Sequence, residues 1–422
     1  RPYSSSPAPR PERISVSARS NGNLTIDIFH SEKPASPVLL YLPSGTVIPD
    51  YEEEEERIIS TLARASRATV ARINYRASSV YQYPTPIHDT MLGYAWIKEN
   101  LVDCVSPWPI PSRVGVCGEL MGGSLAVMLG LTECRVGESG IGAASVNNPI
   151  VDWVFADELP ALNAEEPPEP LVPEDTAFPA DEDPMSPLAV PESFTATKPP
   201  KRAAKPPPPP SWQLYGDNAA IPTLTLLGER DVLFRKPEHS FDLFASPIHW
   251  FRSPRGNLIY PRDDDTLASN QPDKPVDYET KMNLLHYQAL GQTPKPVELP
   301  TLCRCKDYGR IYPPAGFHLS PPLWQVTTGT ESPLLDQATE LTKKLRRSIA
   351  RCEFKKREGR LGDGRRYTRE EDEIYKAYAK TRVKMNTVNG IGLWTQQDPD
   401  SPWKENVERM GHFMQEKLNA SF

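Results

Sequence analysis

The segment that most constrains the fold of this chain runs from Val114 to Ala126, with the sequence Val-Gly-Val-Cys-Gly-Glu-Leu-Met-Gly-Gly-Ser-Leu-Ala. Its first four residues form an apolar run typical of a buried strand. Glycines at 118, 122 and 123 then crowd a short stretch, where the missing Cβ lets backbone segments approach closely. Apolar residues continue to Leu131. The pattern predicts a strand, a sharp turn and a helix in direct succession.

Apolar runs on both sides of this segment predict that strands alternate with helices. Residues 13–18 and 23–29 alternate in polarity around Asn21-Gly22, which is typical of a hairpin. Further strands are predicted at 38–42, 69–75, 141–148, 221–227, 247–251 and 323–328, and helices at 51–66, 85–101, 122–134, 237–245, 335–349, 369–383 and 403–418. Alternation at this spacing favours an α/β fold with a doubly wound, mostly parallel sheet.

Composition divides the chain into an ordered part and an insertion. The 47 prolines are about twice the usual share, and many lie in an acidic and Pro-rich stretch at 156–212. Such a stretch has too few apolar residues to offset the entropy of folding, so we predict a disordered insertion. The remaining boundaries are a presequence remnant or disordered tail at 1–12, an N-terminal part of the domain at 13–155 and a C-terminal part at 213–422.

Charge and cysteine content exclude several classes of protein. The net charge of −7 gives the whole chain no affinity for nucleic acid. Basic residues are concentrated in a helical segment at 351–384, where Lys and Arg alternate with aromatic residues that could contact RNA. The six cysteines include one close pair, Cys303 and Cys305, without a second pair at ligand spacing. We therefore expect no metal and no cofactor, and no apolar run is long enough to span a membrane.

The segment around Leu120 resembles the nucleophile elbow of the α/β-hydrolase superfamily, G-x-S-x-G, in its lipase and esterase branch as found in filamentous fungi. The resemblance covers about 13–155, 213–255 and 323–418. It implies that the elbow and oxyanion loop are formed by residues that all occur near the two central strands: Ser44, Gly45, Gly118, Met121, Gly122 and Gly123. Two departures stand out, because Leu120 replaces the nucleophilic serine and Pro43 removes an N–H donor.

The resemblance also implies positions for the other two members of a Ser-His-Asp triad. Two turns resemble the acid turn, one with Asp231 and one with Ser332 in place of the acid, and the choice between them stays open. Neither loop where the base belongs contains a histidine. His249 and His318 are the nearest histidines, and both are interpreted as structural. Ser124, one helical turn beyond Leu120, is the alternative nucleophile, although its expected position is in the helix–sheet interface.

The leading hypothesis is therefore a catalytically inactive α/β-hydrolase-like protein that serves as a structural or binding subunit of a larger assembly, possibly ribosomal. Two alternatives stay open: a carboxylic ester hydrolase with a displaced nucleophile, and a small-molecule-binding pseudo-esterase. The expected partners are proteins, with RNA contacting 351–384. The Arg- and Ser-rich residues 1–20 resemble a mitochondrial presequence, which predicts the mitochondrial matrix, with the cytoplasm as the alternative.

Overall fold

A computed structural model of the chain describes residues 11–18, 22–33, 36–48, 52–102, 114–136, 140–155, 158–159, 178–179, 209–259, 301–314, 316–361, 369–395 and 402–419. These residues form two units. The first comprises Arg1–Trp153, Thr176–Ser253 and Tyr308–Phe422, and the second comprises Val154–Asp175 and Pro254–Asp307. Nearly all of the predicted insertion at 156–212 lies outside the described residues, as does Cys104.

An eight-stranded sheet organises the first unit, in the order β1-β2-β4-β3-β5-β6-β11-β12. The hairpin strand β2 pairs antiparallel with β1 and β4, and all other neighbours are parallel. The strands described in both units, of which β7 to β10 lie outside this sheet, are β1 Glu12–Ser17, β2 Asn23–Phe29, β3 Val38–Leu42, β4 Thr69–Asn74, β5 Val114–Glu119, β6 Ile141–Asn147, β7 Phe178–Pro179, β8 Gly256–Ile259, β9 Thr301–Arg304, β10 Tyr308–Gly309, β11 Leu323–Gly329 and β12 Val383–Val388. The predicted mostly parallel sheet is confirmed.

Helices cover both faces of this sheet. They are α1 Glu52–Ser66, α2 Thr85–Ile97, α3 Leu120–Thr132, α4 Ser211–Leu214, α5 Thr223–Leu233, α6 Leu335–Leu361, α7 Arg369–Arg382 and α8 Trp403–Leu418. A π-helical turn, Lys98–Val102, extends α2.

On one face, α1 and α8 pack over the central strands. The buried positions of α8, among them Val407, Met410, Met414 and Leu418, recur at helical spacing. They contact the strand residues Leu39 and Tyr41 and the helix residues Ile58, Ile59 and Leu62 in one apolar cluster. On the other face, α3 lies so close to the sheet that a Cβ on Gly130 would be 2.7 Å from the Trp324 ring.

Two segments that were predicted as strands are helical in the structure. Residues 223–233 form a helix where a strand was expected at 221–227, and Pro247–Trp250 is a 3₁₀ helix where a strand was expected at 247–251. Pro222 is the N-cap residue of α5, and Pro247 is the first residue of the 3₁₀ helix, where its fixed φ suits the first turn. Thr223, Leu226 and Leu233 are the buried positions of α5, and this spacing fits a helix rather than a strand.

The second unit contains one two-stranded antiparallel ladder, formed by β8 and β9. Cys303 and Cys305 lie in or next to β9, and both are free thiols. In the part of the chain that the structure describes, no group of three or more metal-ligating side chains comes together. No described helix is both long and apolar enough to cross a membrane.

Candidate functional site

The sharp turn between β5 and α3 is built as the sequence predicts. Leu120 has a φ of 51°, in the left-handed region that costs a non-glycine residue roughly 1–2 kcal/mol. A Cβ on Gly118 would lie 2.3 Å from the carbonyl oxygen of Gly122, and a Cβ on Gly122 would lie 2.1 Å from that of Pro43. Both glycines are therefore required by close backbone approach.

Leu120 projects no polar atom at this turn. Its side chain is completely buried, with 0% exposure. A hydrocarbon side chain has neither a lone pair to attack a carbonyl carbon nor a proton to transfer to a base. At this turn, a left-handed backbone conformation therefore coincides with a fully buried hydrocarbon side chain.

The loop after β3 lies directly against this turn. Gly45 has a φ of 81°, and a Cβ there would be 2.9 Å from the Tyr75 hydroxyl and 3.1 Å from Met121 Cβ. The Tyr75 hydroxyl donates a hydrogen bond to the carbonyl oxygen of Pro43 at 2.7 Å, which fixes the loop. Ser44 is buried beside it. The loop thus occupies the expected place, but whether its N–H groups form an oxyanion hole stays a prediction.

The two turns that resemble an acid turn differ in their structural surroundings. β11 belongs to the central sheet and leads into Ser332, which is fully buried and whose Oγ accepts a hydrogen bond from Leu334 N at 3.2 Å. Asp231 instead lies on α5, with its side chain 75% exposed and paired with Arg230 at 3.3 Å. The expectation that Asp231 follows a strand is wrong, because the segment before it is helical.

The loop after β12, where the base belongs, contains residues 389–395 and no histidine. This loop is fastened to the turn by Glu119, the residue before Leu120. The Glu119 carboxylate accepts hydrogen bonds from Trp394 N at 2.7 Å, Thr395 Oγ1 at 3.0 Å and Asn147 Nδ2 at 2.6 Å. Burial raises the pKa of Glu119 to about 7, and these donors oppose the increase.

The two histidines considered from sequence lie in other surroundings. His249 is on the 3₁₀ helix Pro247–Trp250, with Nε2 4.0 Å from the Asp152 carboxylate. Burial lowers its pKa to about 4, so the neutral ring is favoured. His318 is exposed, and its carbonyl oxygen accepts a hydrogen bond from Val136 N at 2.9 Å.

Ser124 and Cys117 are the nucleophilic side chains closest in sequence to Leu120. Ser124 is buried on α3, and its Oγ donates to the carbonyl oxygen of Ala245 at 3.3 Å. The Cys117 thiol is completely buried and donates to the Leu40 carbonyl at 3.4 Å. Burial raises the pKa of Cys117, so the thiolate is disfavoured.

A narrow pocket opens beside the turn, entirely within the first unit. Its atom-free space is about 320 Å³, the solvent-open mouth included. Most of its wall is apolar or aromatic, and the lining residues are Tyr83, Pro86, Ile87, Met121, Ser124, Leu125, Trp153, Leu233, Phe234, Phe244 and Ala245.

Sequence reasoning identified Met121 and Ser124 but missed the aromatic wall of this pocket. Trp153 follows β6, and Phe234 follows α5. Phe244 lies between two short 3₁₀ helices, Pro237–Phe241 and Pro247–Trp250. The three residues therefore share no sequence motif. A cluster of aromatic residues around 234–251 was visible in the sequence, but the predicted strand at 247–251 assigned part of it to the core of a sheet.

Comparison with known proteins agrees with this architecture. Residues 39–240 match a family model described as the alpha/beta hydrolase fold. No curated protein sequence matches the chain. The resemblance expected from sequence, to esterase-like members of the α/β-hydrolase superfamily, is confirmed.

Solved esterase structures resemble the chain over nearly its whole length. The thermostable carboxylesterase EstE1 from a metagenomic library has a TM-score of 0.53 at 14% identity and covers 98% of this chain and 90% of its own. Carboxyl esterase 2 from the fungus Tuber melanosporum has a TM-score of 0.53 at 12% identity, covering 97% and 88%. An esterase from Pyrobaculum calidifontis has a TM-score of 0.50 at 14% identity, covering 97% and 86%. Identities this low establish the fold alone.

Proposed function

Because the chain has the α/β-hydrolase fold, we propose that it is a non-hydrolytic member that binds a small molecule in the pocket beside the β5–α3 turn. One observation carries this proposal: the position from which an elbow presents its nucleophile is occupied by Leu120, which is fully buried and adopts a φ of 51°. The fold keeps the geometry of a substrate site without the atom that would form a covalent intermediate.

The other two triad positions support the proposal. Ser332 at the acid turn has no charge with which to orient an imidazole, and residues 389–402 contain no histidine to orient. In place of a base, the loop after β12 supplies the Trp394 N–H and the Thr395 hydroxyl, which are both bonded to Glu119. The charged acid and the histidine of a Ser-His-Asp triad are therefore both missing from these positions in the sequence.

The similarity to esterases favours a second candidate, an ester hydrolase with a displaced nucleophile. Ser124 is the residue for this role because it lines the pocket. Its Oγ would need a base to remove the proton, whereas the only hydrogen bond described for it is donated to the Ala245 carbonyl. A peptide carbonyl is not basic enough to activate a hydroxyl, so this candidate is the weaker one.

Hydrolysis of 4-nitrophenyl acetate and butyrate separates the two candidates. We expect the protein, Ser124→Ala and Ser348→Ala to give equal rates, close to that of buffer with an inert protein. Ser348 is a matched control, since it is also buried on a helix and donates to a backbone carbonyl, that of Tyr312 at 2.7 Å. A rate at least tenfold above background that Ser124→Ala abolishes and Ser348→Ala keeps would replace the binding proposal with the hydrolase.

We further propose that the protein works within a larger assembly, with the mitochondrial matrix as its location. The specific observation is on α7, where Ile374 and Tyr378, one turn apart, are 57% and 38% exposed. Exposed apolar side chains at this spacing are typical of a contact surface. Sedimentation of a gently prepared mitochondrial lysate, with and without RNase, tests this proposal. If the protein sediments fast together with fixed partners, the assembly is supported. If it sediments as a 47.2 kDa monomer, the assembly is contradicted.

A further inference from the structure

The pocket beside the turn is notable for the absence of charge among its described lining residues. Seven of them are aliphatic residues, proline or serine, and four carry aromatic rings: Tyr83, Trp153, Phe234 and Phe244. A ligand with an ionised group would lose its hydration here without gaining an opposite charge, and such a loss is costly. The pocket therefore selects against ligands that carry a carboxylate or an ammonium group.

The polar atoms at the pocket already have partners within the protein. Ser124 Oγ donates to the Ala245 carbonyl at 3.3 Å, and the Tyr83 hydroxyl is hydrogen-bonded to Asp242. The Trp153 carbonyl accepts a hydrogen bond from Arg230 at 3.2 Å. A ligand that hydrogen-bonded strongly here would have to displace one of these partners, so apolar contact supplies most of the affinity.

The aromatic side chains at the pocket pack against one another. The Phe234 ring lies 5.6 Å from that of Tyr83 at an interplanar angle of 37°, and 5.5 Å from that of Trp153 at 69°. Offset and edge-to-face contacts of this kind favour a further aromatic ring over a saturated one of the same size. The atom-free space of about 320 Å³, the solvent-open mouth included, sets an upper limit on the size of the bound group.

We propose that this pocket binds a small, uncharged aromatic group without covalent chemistry. The inference rests on the proposed non-hydrolytic function and names its ligand class. It makes Phe234 the specificity-determining side chain, because the Phe234 ring contacts the rings of both Tyr83 and Trp153.

Four compounds of nearly equal size test the ligand class on the intact chain: benzyl alcohol, cyclohexylmethanol, benzoate and benzylammonium. Saturation-transfer NMR titrations at pH 7.5 give their relative dissociation constants. We expect benzyl alcohol to bind best, cyclohexylmethanol to bind about threefold more weakly, and both ions to bind at least tenfold more weakly.

Two variants test whether the compounds bind in this pocket. Phe234→Leu keeps an apolar side chain but removes the ring, and should weaken benzyl alcohol about threefold to tenfold while leaving cyclohexylmethanol nearly unchanged. Phe317→Leu is the control, because Phe317 is 63% exposed and does not line the pocket. It should change neither compound.

Equal binding of benzoate or benzylammonium would overturn the inferred charge preference, and equal binding of cyclohexylmethanol would overturn the preference for a ring. Absence of binding by all four compounds would overturn the inference as a whole. None of these results depends on the nitrophenyl ester assay, where failure of the non-hydrolytic function would appear as turnover lost in Ser124→Ala.

Discussion

Replacement of Glu119 by glutamine should change how stability depends on pH. Glu119 is 1% exposed, and its hydrogen-bond donors are all uncharged: Asn147 Nδ2, Trp394 N, and the hydroxyl and backbone N–H of Thr395. Burial raises its pKa from the usual 4.5 to about 7 and outweighs the hydrogen bonds that favour the anion. The folded protein therefore keeps a proton that the unfolded chain has lost.

The sign of the effect follows from this difference in proton binding. Below pH 4.5 the carboxyl group is protonated in both states, and its burial costs least. As the pH rises from 4.5 to 7, the unfolded chain is ionised and the folded protein is not, so the free energy of unfolding falls. Above pH 7 the full cost, about 3 kcal/mol by the size of the shift, is present.

Urea unfolding of the wild type and Glu119→Gln at five pH values between 4.5 and 8.5 measures this. Because glutamine cannot ionise, the variant should gain about 3 kcal/mol relative to the wild type across the range. Glu405→Gln, in an exposed pair with Arg409 on α8, should follow the wild type within about 0.5 kcal/mol. The reasoning would be refuted if the difference in the free energy of unfolding between Glu119→Gln and the wild type did not change with pH. It would also be refuted if the variant lost stability relative to the wild type as the pH rises.

Two further substitutions test the packing that supports the site. Gly122→Ala should lower the free energy of unfolding by about 3 kcal/mol or more, because its Cβ would lie 2.1 Å from the Pro43 carbonyl oxygen. Gly228→Ala on α5 is the control, because no atom lies within 4 Å of the added Cβ. It should be neutral or stabilising by up to about 1 kcal/mol. A similar loss of stability in Gly122→Ala and Gly228→Ala would contradict the argument. Arg252→Met should cost about 3–5 kcal/mol in urea unfolding, since it removes the buried guanidinium that now lies 2.6 Å from the Asp152 carboxylate and 2.9 Å from that of Glu340. A loss below about 1 kcal/mol would contradict this.

Much of the fold could be predicted because the central strands are buried on both faces and the terminal helix on one. Val38–Leu42 is an unbroken apolar run and is buried at all five positions. The predicted helix Trp403–Leu418 agrees with α8 at both ends, because its apolar residues recur at the spacing of one helical face. The β5–α3 turn was equally clear, since its glycines are required by contacts within the segment and with the neighbouring loop.

Other parts could not be predicted because their structure depends on distant contacts. The Thr-Leu-Thr-Leu-Leu run at 223–227 has the composition of a strand, but its buried residues, Thr223 and Leu226, are at the spacing of one face of the helix α5. The edge strand β12, Val383–Val388, has no apolar run that separates it from α7. The sequence therefore left two candidate acid turns open, and the pairing of β11 with β6 and β12 shows that the turn at Ser332 follows a strand of the central sheet.

The most direct test of a pocket without a nucleophile is intact-mass spectrometry after treatment with a fluorophosphonate. Such reagents form a covalent adduct with an activated serine. The account predicts that the full chain keeps its mass under conditions that label a serine esterase completely. It also predicts that Leu120→Ser keeps its mass, because the segment after β12, residues 389–402, has no histidine to activate the new hydroxyl. An adduct on the unaltered chain that peptide mapping assigns to Ser124 would contradict the account and establish the displaced-nucleophile hydrolase.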